Sequence, residues 1–132
     1  MKPQRLNRYK GTASEHLACA DIWLQGYKAY MIASDVFDVI MKAENQLLRL
    51  QVKSSSFSQH KNNSLTYNLC RGCKSKNLYD KKDIDGWVFV NLINKKVCYM
   101  DVLELNNKWK ITINEKRFEE LTLNQFIKKK GI

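Results

Sequence analysis

The sequence predicts one mixed α/β domain over residues 1–132, in which a helix precedes a central mixed β-sheet and a late helix closes the chain. Three observations predict this class. Apolar residues recur at helical spacing near the start, strand-like segments separated by polar turns fill the middle, and a capped apolar segment ends the sequence. A chain of 132 residues, 44% of them hydrophobic, can bury one real core, so a single domain is expected.

The two helices are predicted from capping signals and apolar spacing. In "GTASEHLACADIWLQGY" (residues 11–27), Thr12 and Glu15 have the spacing of a capping box, and Gly26 can terminate the helix. Four apolar residues recur at helical spacing between these ends: Ala13, Leu17, Ala20 and Leu24. The segment "TLNQFIKKK" has another Thr-x-x-Gln cap and is predicted to form the closing helix.

The strands are predicted from runs of β-branched, aromatic and alternating apolar residues. "VFDVIMKA" and "LLRLQVKS" are expected to pair as a hairpin through the polar turn "KAENQ", and "YKAYMIA" precedes them. "GWVFVNL" and "KVCYMDVL" form a second predicted hairpin around Asn94 and Lys95, while "LTYNLC" and "KWKITI" are single strands. "SFSQHKNNS" is interpreted as a polar connection.

The charge balance indicates a polyanionic partner. The chain has 23 Lys and Arg against 13 Asp and Glu, a net charge of +10, which favours nucleic acid first and an anionic membrane surface second. One basic residue alone more often serves solubility, but the basic residues gather at the start, in residues 71–82 and at the end. Three such clusters on a small chain favour DNA or RNA.

Several classes of protein are disfavoured by what the sequence lacks. No apolar run approaches the about 20 residues that span a bilayer, and no apolar stretch follows the basic start, so a cytoplasmic location with reduced cysteines is expected. A zinc site at Cys70 and Cys73 would need a second pair, whereas Cys19 and Cys98 stand alone and suit burial. Whether Cys70 and Cys73 bind anything stays open.

The residues that could perform chemistry surround the predicted hairpin. Gln51 and Lys53 are two apart on a strand, so their side chains leave the same face. Asp38 stands among apolar residues, where a carboxylate is costly unless it is paired or binds a metal, and the hairpin would bring it near Gln51. Glu15 could join them from the helix. Such oxygen ligands beside an amine are what Mg²⁺-assisted phosphodiester hydrolysis requires.

The series Glu15, Asp38 and Gln51-Val52-Lys53 resembles the PD-(D/E)xK nuclease superfamily. It is most similar to the branch of group I intron homing endonucleases in which Gln replaces the acid before x-Lys. The similar tract runs from residue 11 to residue 105 with a gap, which is roughly half of the chain.

This resemblance implies a restriction-endonuclease-like core and a Mg²⁺-dependent, site-specific endonuclease of double-stranded DNA without an organic cofactor. Asp38 would be the central metal ligand, Gln51 a ligand through its side-chain oxygen, Val52 a ligand through its carbonyl, Lys53 the catalytic amine and Glu15 an outer or direct ligand. A short chain of this type is expected to assemble as a homo-oligomer, either a dimer or a tetramer. The expected DNA contacts are Arg5, Arg8, Lys10, Arg71, Lys74, Lys76, Lys81 and Lys82.

Other interpretations of the same residues remain open. A Holliday-junction resolvase would share the core, and a catalytically inactive DNA-binding module would share the charge. Glu15 could serve only as a cap, and Lys53 could be a solvated cation. Asp35 competes with Asp38 as a ligand, whereas Asp85 is more typical of a turn or of a supporting contact.

Overall fold

The computed structural model describes residues 3–34, 36–55, 64–70 and 78–132. Its elements follow the predicted order of a helix, a sheet and a late helix. They are α1 (Pro3–Leu24), β1 (Lys28–Met31), β2 (Val39–Ala43), β3 (Gln46–Ser55), β4 (Leu65–Asn68), β5 (Gly86–Asn91), β6 (Lys96–Asp101), a short 3-10 helix (Val102–Leu105), β7 (Lys110–Ile113), α2 (Glu115–Glu120) and α3 (Leu123–Lys129).

The main sheet has five strands in the order β1-β2-β3-β5-β6, with β3 and β5 parallel and the other neighbours antiparallel. It is therefore mixed, as predicted. The β2–β3 hairpin is confirmed, with Val39 opposite Leu50 and Ala43 opposite Gln46. Strands β4 and β7 pair in a separate antiparallel sheet. The hairpin places the residues before β2 beside the middle of β3.

Apolar side chains cover the main sheet on both faces. On one face, Ala18 and Ile22 of α1 and Phe126 of α3 pack against alternate residues of the strands, including Leu50. On the other face, Trp87 and its neighbours pack against β4, β7 and α2 in a second cluster. Because both faces are covered, the polar row of β3 does not form a solvated strand face: Gln51 is only 8% exposed.

Helix α1 begins well before the predicted start. The structure begins the helix at Pro3, so Thr12 and Glu15 lie in its interior and the capping-box interpretation is wrong. Proline is favourable at a first helical position, and the residues that follow it are mostly good helix formers, which explains the earlier start. The predicted end is confirmed, because Gly26 adopts a φ of 94° and its N–H donates to the Trp23 carbonyl at 3.0 Å.

Of the two late helices, the sequence predicted α3 and missed α2. In α3 the Thr122 hydroxyl accepts a hydrogen bond from the Gln125 N–H at 3.3 Å, as its sequence predicts. Helix α2 was not predicted, because Phe118 is its one apolar side chain and no helical repeat is visible. Its signal was Asn114, whose side chain accepts from the Arg117 N–H at 2.8 Å.

Candidate active site

Asp38 is held by three hydrogen bonds, two with β3 and one with the residue after β1. It lies directly before β2, not inside the strand as predicted, and its N–H donates to the Leu50 carbonyl at 2.9 Å. Its carboxylate oxygen Oδ2 accepts from the Val52 N–H at 2.9 Å, and its carbonyl accepts from the Ile32 N–H at 3.0 Å. The hairpin thus holds this carboxylate beside Gln51 and Val52.

Glu15 reaches the same place from α1. The pKa of Glu15 is raised from 4.5 to about 7, chiefly by burial, with smaller contributions from the negative charge of Asp38 and from hydrogen bonding to the Asp38 carboxyl group. A carboxyl group whose ionisation is opposed by burial and by a neighbouring carboxylate lies in a site that favours either a proton or a cation. The predicted convergence of Glu15 with Asp38 is therefore present in the geometry.

The two acids lie in an open cleft between α1 and the β2–β3 hairpin. The cleft has a volume of about 320 Å³. Its lining residues are Arg8, Gly11, Thr12, Glu15, Asp38, Gln51 and Val52. Gly11 and Thr12 were not among the sequence candidates; the signal that could have found them is their spacing of three and four residues from Arg8 and from Glu15 on one helix.

Lys53 lies near this cleft but is not among its lining residues. Its ammonium Nζ donates to the carbonyl of Cys70 at 3.3 Å and lies 5.9 Å from the centre of the Tyr79 ring. The amine is therefore held against Tyr79 and the backbone of Cys70, two residues after β4. The structure brings Glu15, Asp38, Gln51 and Val52 together and places Lys53 on the same strand beside them.

Arg49, the first residue of the polar row of β3, has a structural partner. Its guanidinium pairs with Asp85 at 3.1 Å and donates to the carbonyls of Lys82 at 2.7 Å and Lys81 at 3.2 Å. The backbone N–H of Arg49 also donates to the Asp85 carboxylate at 2.7 Å. These bonds place Asp85 in a supporting contact outside the cleft, and they fix the backbone of the segment that carries Lys81 and Lys82.

The structure describes only some of the predicted DNA-binding residues. Arg8 is exposed on α1, Lys10 is half-buried, and Lys81 and Lys82 are exposed. Arg5 lies in α1, but its side chain is outside the description. Arg71, Lys74 and Lys76 lie outside the described residues, as do Asp35 and Cys73. Cys70 is buried, with its sulfur 3.9 Å from the Trp109 carbonyl.

The oxygen-rich lining of the cleft fits a hard divalent cation. Within the described ranges, no three side chains of His, Cys, Asp and Glu gather in one place. The cleft instead offers two carboxylates and the Gln51 amide, and the mutual repulsion of the carboxylates would be relieved by a positive ion. A neutral amide as third ligand predicts weaker ion binding than three carboxylates would give.

The helix, the mixed sheet and the position of the acidic pair define a restriction-endonuclease-like fold. The chain belongs to the PD-(D/E)XK endonuclease family, whose family model matches residues 6–127. Nucleases of this family typically use divalent metal ions. No curated protein sequence is significantly similar to this chain.

Solved structures that share the fold include two nucleases. The bacterial homing endonuclease I-Ssp6803I superposes with a TM-score of 0.71 at 18% identity, over 94% of this chain and 92% of that one. The Holliday junction resolvase Hjc of the hyperthermophilic archaeon Archaeoglobus fulgidus superposes with a TM-score of 0.53 at 14% identity, over 88% and 93%. In the part of the chain that the structure describes, no helix has the length and apolar character needed to cross a membrane.

The raised pKa of Glu15 predicts a pH-dependent stability of the metal-free protein. The folded chain holds the Glu15 proton more tightly than the unfolded chain does, so stability falls as the pH rises from about 4.5 through about 7. Glu15→Gln should remove this loss. In urea unfolding with EDTA, its gain over wild type should therefore be larger above pH 7 than near pH 4.5.

The matched control is Glu120→Gln, which changes an exposed glutamate of α2. Its effect on the free energy of unfolding should be similar at both pH values. If Glu15→Gln also had the same effect at both pH values, the folded protein would not raise the pKa of Glu15, and the buried acidic pair would be excluded.

Proposed function

We propose that this chain is a Mg²⁺-dependent endonuclease that hydrolyses phosphodiester bonds of double-stranded DNA, with one catalytic domain over residues 1–132. The observation that carries the proposal is the meeting of the Glu15 and Asp38 carboxyl groups in an open cleft beside Gln51 and Val52. A cleft that gathers negative groups is suited to a metal cation, while the net charge of +10 on the chain attracts the phosphates of DNA.

Each residue of the cleft has a proposed role. Mg²⁺ would be held by Asp38, Glu15, the side-chain oxygen of Gln51 and the carbonyl of Val52. When bound, the ion supplies Lewis-acid stabilisation of the charge that develops on the phosphate. The Val52 N–H keeps the Asp38 carboxylate in place at 2.9 Å.

Lys53 is the proposed catalytic amine. The Lys53 ammonium orients the attacking water and offsets the negative charge of the transition state. To do so, it must break or lengthen its hydrogen bond with the Cys70 carbonyl, which measures 3.3 Å in this structure. Apo contacts of catalytic groups often rearrange when substrate binds.

The basic residues supply the DNA affinity. Arg8 lines the cleft itself, and Lys81 and Lys82 are exposed on the segment held by Arg49. Arg5, Lys10, Arg71, Lys74 and Lys76 complete the proposed phosphate-contacting set. Binding of this kind weakens steeply with salt, because each neutralised phosphate releases condensed counterions.

Within the family, a homing-type activity with a site-specific double-strand cut is the function we favour. Gln51 in place of an acid supports it, because that substitution characterises the branch the sequence resembles. Two strands must be cut, so we propose a homo-oligomer, a dimer or tetramer, whose two-fold axis matches the target. Light scattering of the purified chain, alone and with DNA, measures the assembly.

The decisive experiment is a nicking assay on supercoiled plasmid with Mg²⁺, with EDTA as the blank. The protein is expected to convert the plasmid to its nicked or linear form in the presence of Mg²⁺ and not in the presence of EDTA. Binding without cleavage in any divalent ion would identify a catalytically inactive DNA-binding module. Cleavage of a synthetic four-way junction in preference to duplex DNA from around the gene would identify a resolvase and overturn the homing assignment.

A further inference from the structure

Gly11 is a helical glycine for which the fold gives no reason. It lies in the interior of α1, where glycine is the least favourable residue apart from proline. Positive φ angles among the described glycines occur at Gly26 and Gly131, so Gly11 does not need a special backbone conformation. Apart from its two chain neighbours and the adjacent backbone of α1, no described residue has an atom within 4 Å of the Cβ that another residue would carry at this position.

Gly86 shows the contrast. A Cβ at Gly86 would collide with the Phe126 ring, so close packing within the chain requires glycine there. At Gly11 no described residue outside the helix would meet an added side chain. Packing among the described residues therefore gives no reason for glycine at this position, which leaves the helix surface open to a ligand.

The surroundings of Gly11 indicate which ligand could approach the helix there. Arg8, Gly11 and Glu15 follow one another at spacings of three and four residues, so they share one face of α1, and all three line the cleft. At about 1.5 Å per residue, Gly11 lies about 6 Å along the helix from Glu15 and about 4.5 Å from Arg8. Gly11 therefore lies between the Glu15–Asp38 pair and the exposed side chain of Arg8.

We infer that Gly11 is where the sugar–phosphate backbone of the bound DNA strand crosses α1. One phosphate lies at the Glu15–Asp38 end of the cleft, the strand passes over the bare helix at Gly11, and a neighbouring phosphate reaches Arg8. Glycine permits this close approach of two backbones, which is a common reason for its use at ligand sites. Gly11 is thus a positioning residue, and the inference rests on the proposed nuclease function.

The test uses substitutions that should stabilise the protein and impair the enzyme. Gly11→Ala and Gly11→Leu replace glycine by good helix formers, so both should raise the Tm by a few degrees. Because an offset on the order of 1 Å can cost about 10²-fold in rate, Gly11→Leu should lower single-turnover cleavage of duplex DNA by about that factor. Gly11→Ala should lie between Gly11→Leu and wild type.

Ala13→Leu is the matched control. Ala13 is exposed on the same helix, about 200° around the axis from Gly11, and it does not line the cleft. This variant should cleave at the wild-type rate. Duplex affinity in Ca²⁺, measured by fluorescence anisotropy, should fall at least about tenfold for Gly11→Leu, a loss of about 1.4 kcal/mol, and stay unchanged for Ala13→Leu.

The outcomes separate the inference from the function on which it rests. If wild type cleaves DNA and the stabilised Gly11→Leu cleaves and binds as well as wild type, Gly11 does not face the DNA and the inference is wrong. If Gly11→Leu loses activity only because it unfolds, the smaller variant Gly11→Ala gives the answer. A raised Tm with a lowered cleavage rate would support the inference, and a raised Tm with the wild-type rate would contradict it. If wild type neither binds nor cleaves duplex DNA, the proposed function and this inference fail together.

Discussion

Asp38→Asn is expected to abolish Mg²⁺-dependent cleavage while the folded chain still binds duplex DNA in Ca²⁺. Asparagine has the shape of aspartate and retains an oxygen that can accept from the Val52 N–H, so the hairpin should stay intact. What it lacks is the charge that holds the ion. Loss of several kcal/mol of transition-state stabilisation at about 1.4 kcal/mol per tenfold predicts a fall of at least about 10²-fold in the single-turnover rate.

The control for Asp38 is Asp83→Asn, a half-buried carboxylate outside the cleft. Its cleavage rate should match that of wild type. Normal Mg²⁺-dependent cleavage by purified, folded Asp38→Asn would remove Asp38 from the metal site. It would also exclude the acidic pair as the centre of the chemistry, because Glu15 alone would then be the remaining carboxylate of the cleft.

Lys53→Met has the second large expected effect. If Lys53 is only a cation held near the Cys70 carbonyl, its loss should slightly weaken DNA binding and reduce the salt dependence by about one phosphate contact. If it acts beside the attacking water, its charge matters most in the transition state. The single-turnover rate should then fall at least about 10²-fold, with affinity within a small factor of wild type.

Lys81→Met is the matched control for Lys53. Lys81 is an exposed lysine outside the cleft, so its loss should weaken binding, reduce the salt dependence and leave cleavage near normal at saturating protein. The two lysine variants should thus have opposite profiles. Equal profiles would mean that Lys53 contributes charge to binding and takes no part in the chemistry.

The sequence predicted the parts of the site that depend on local pattern. Alternating residues and a polar turn predicted the β2–β3 hairpin, and this hairpin alone brings Asp38 to Gln51 and Val52. Glu15 was placed near them for the wrong reason. The capping spacing at Thr12 masked the true start of the helix, yet Glu15 still lies on the face of α1 that meets the hairpin.

The remaining features depend on contacts between distant parts of the chain. The parallel pairing of β3 with β5, the bond from Lys53 to the Cys70 carbonyl and the pairing of Arg49 with Asp85 each join segments well separated in sequence. The hydrophobic periodicity of a short stretch of sequence does not specify these partners, because the contacts form only when distant segments pack together in the core. For this reason Arg49, Gln51 and Lys53 read as one polar row, although each has a different environment.

The bonds of Arg49 have a consequence for the cost of DNA binding. Arg49 stands two residues before Gln51 on β3, and it holds the backbone carbonyls of Lys81 and Lys82 to the strand that forms one wall of the cleft. Fixing the backbone of one residue costs about 1–2 kcal/mol of conformational entropy. Since the backbone of these lysines is ordered before DNA arrives, this cost is met in folding and not in binding, and their charges meet a phosphate at a distance from the cleft set by the sheet.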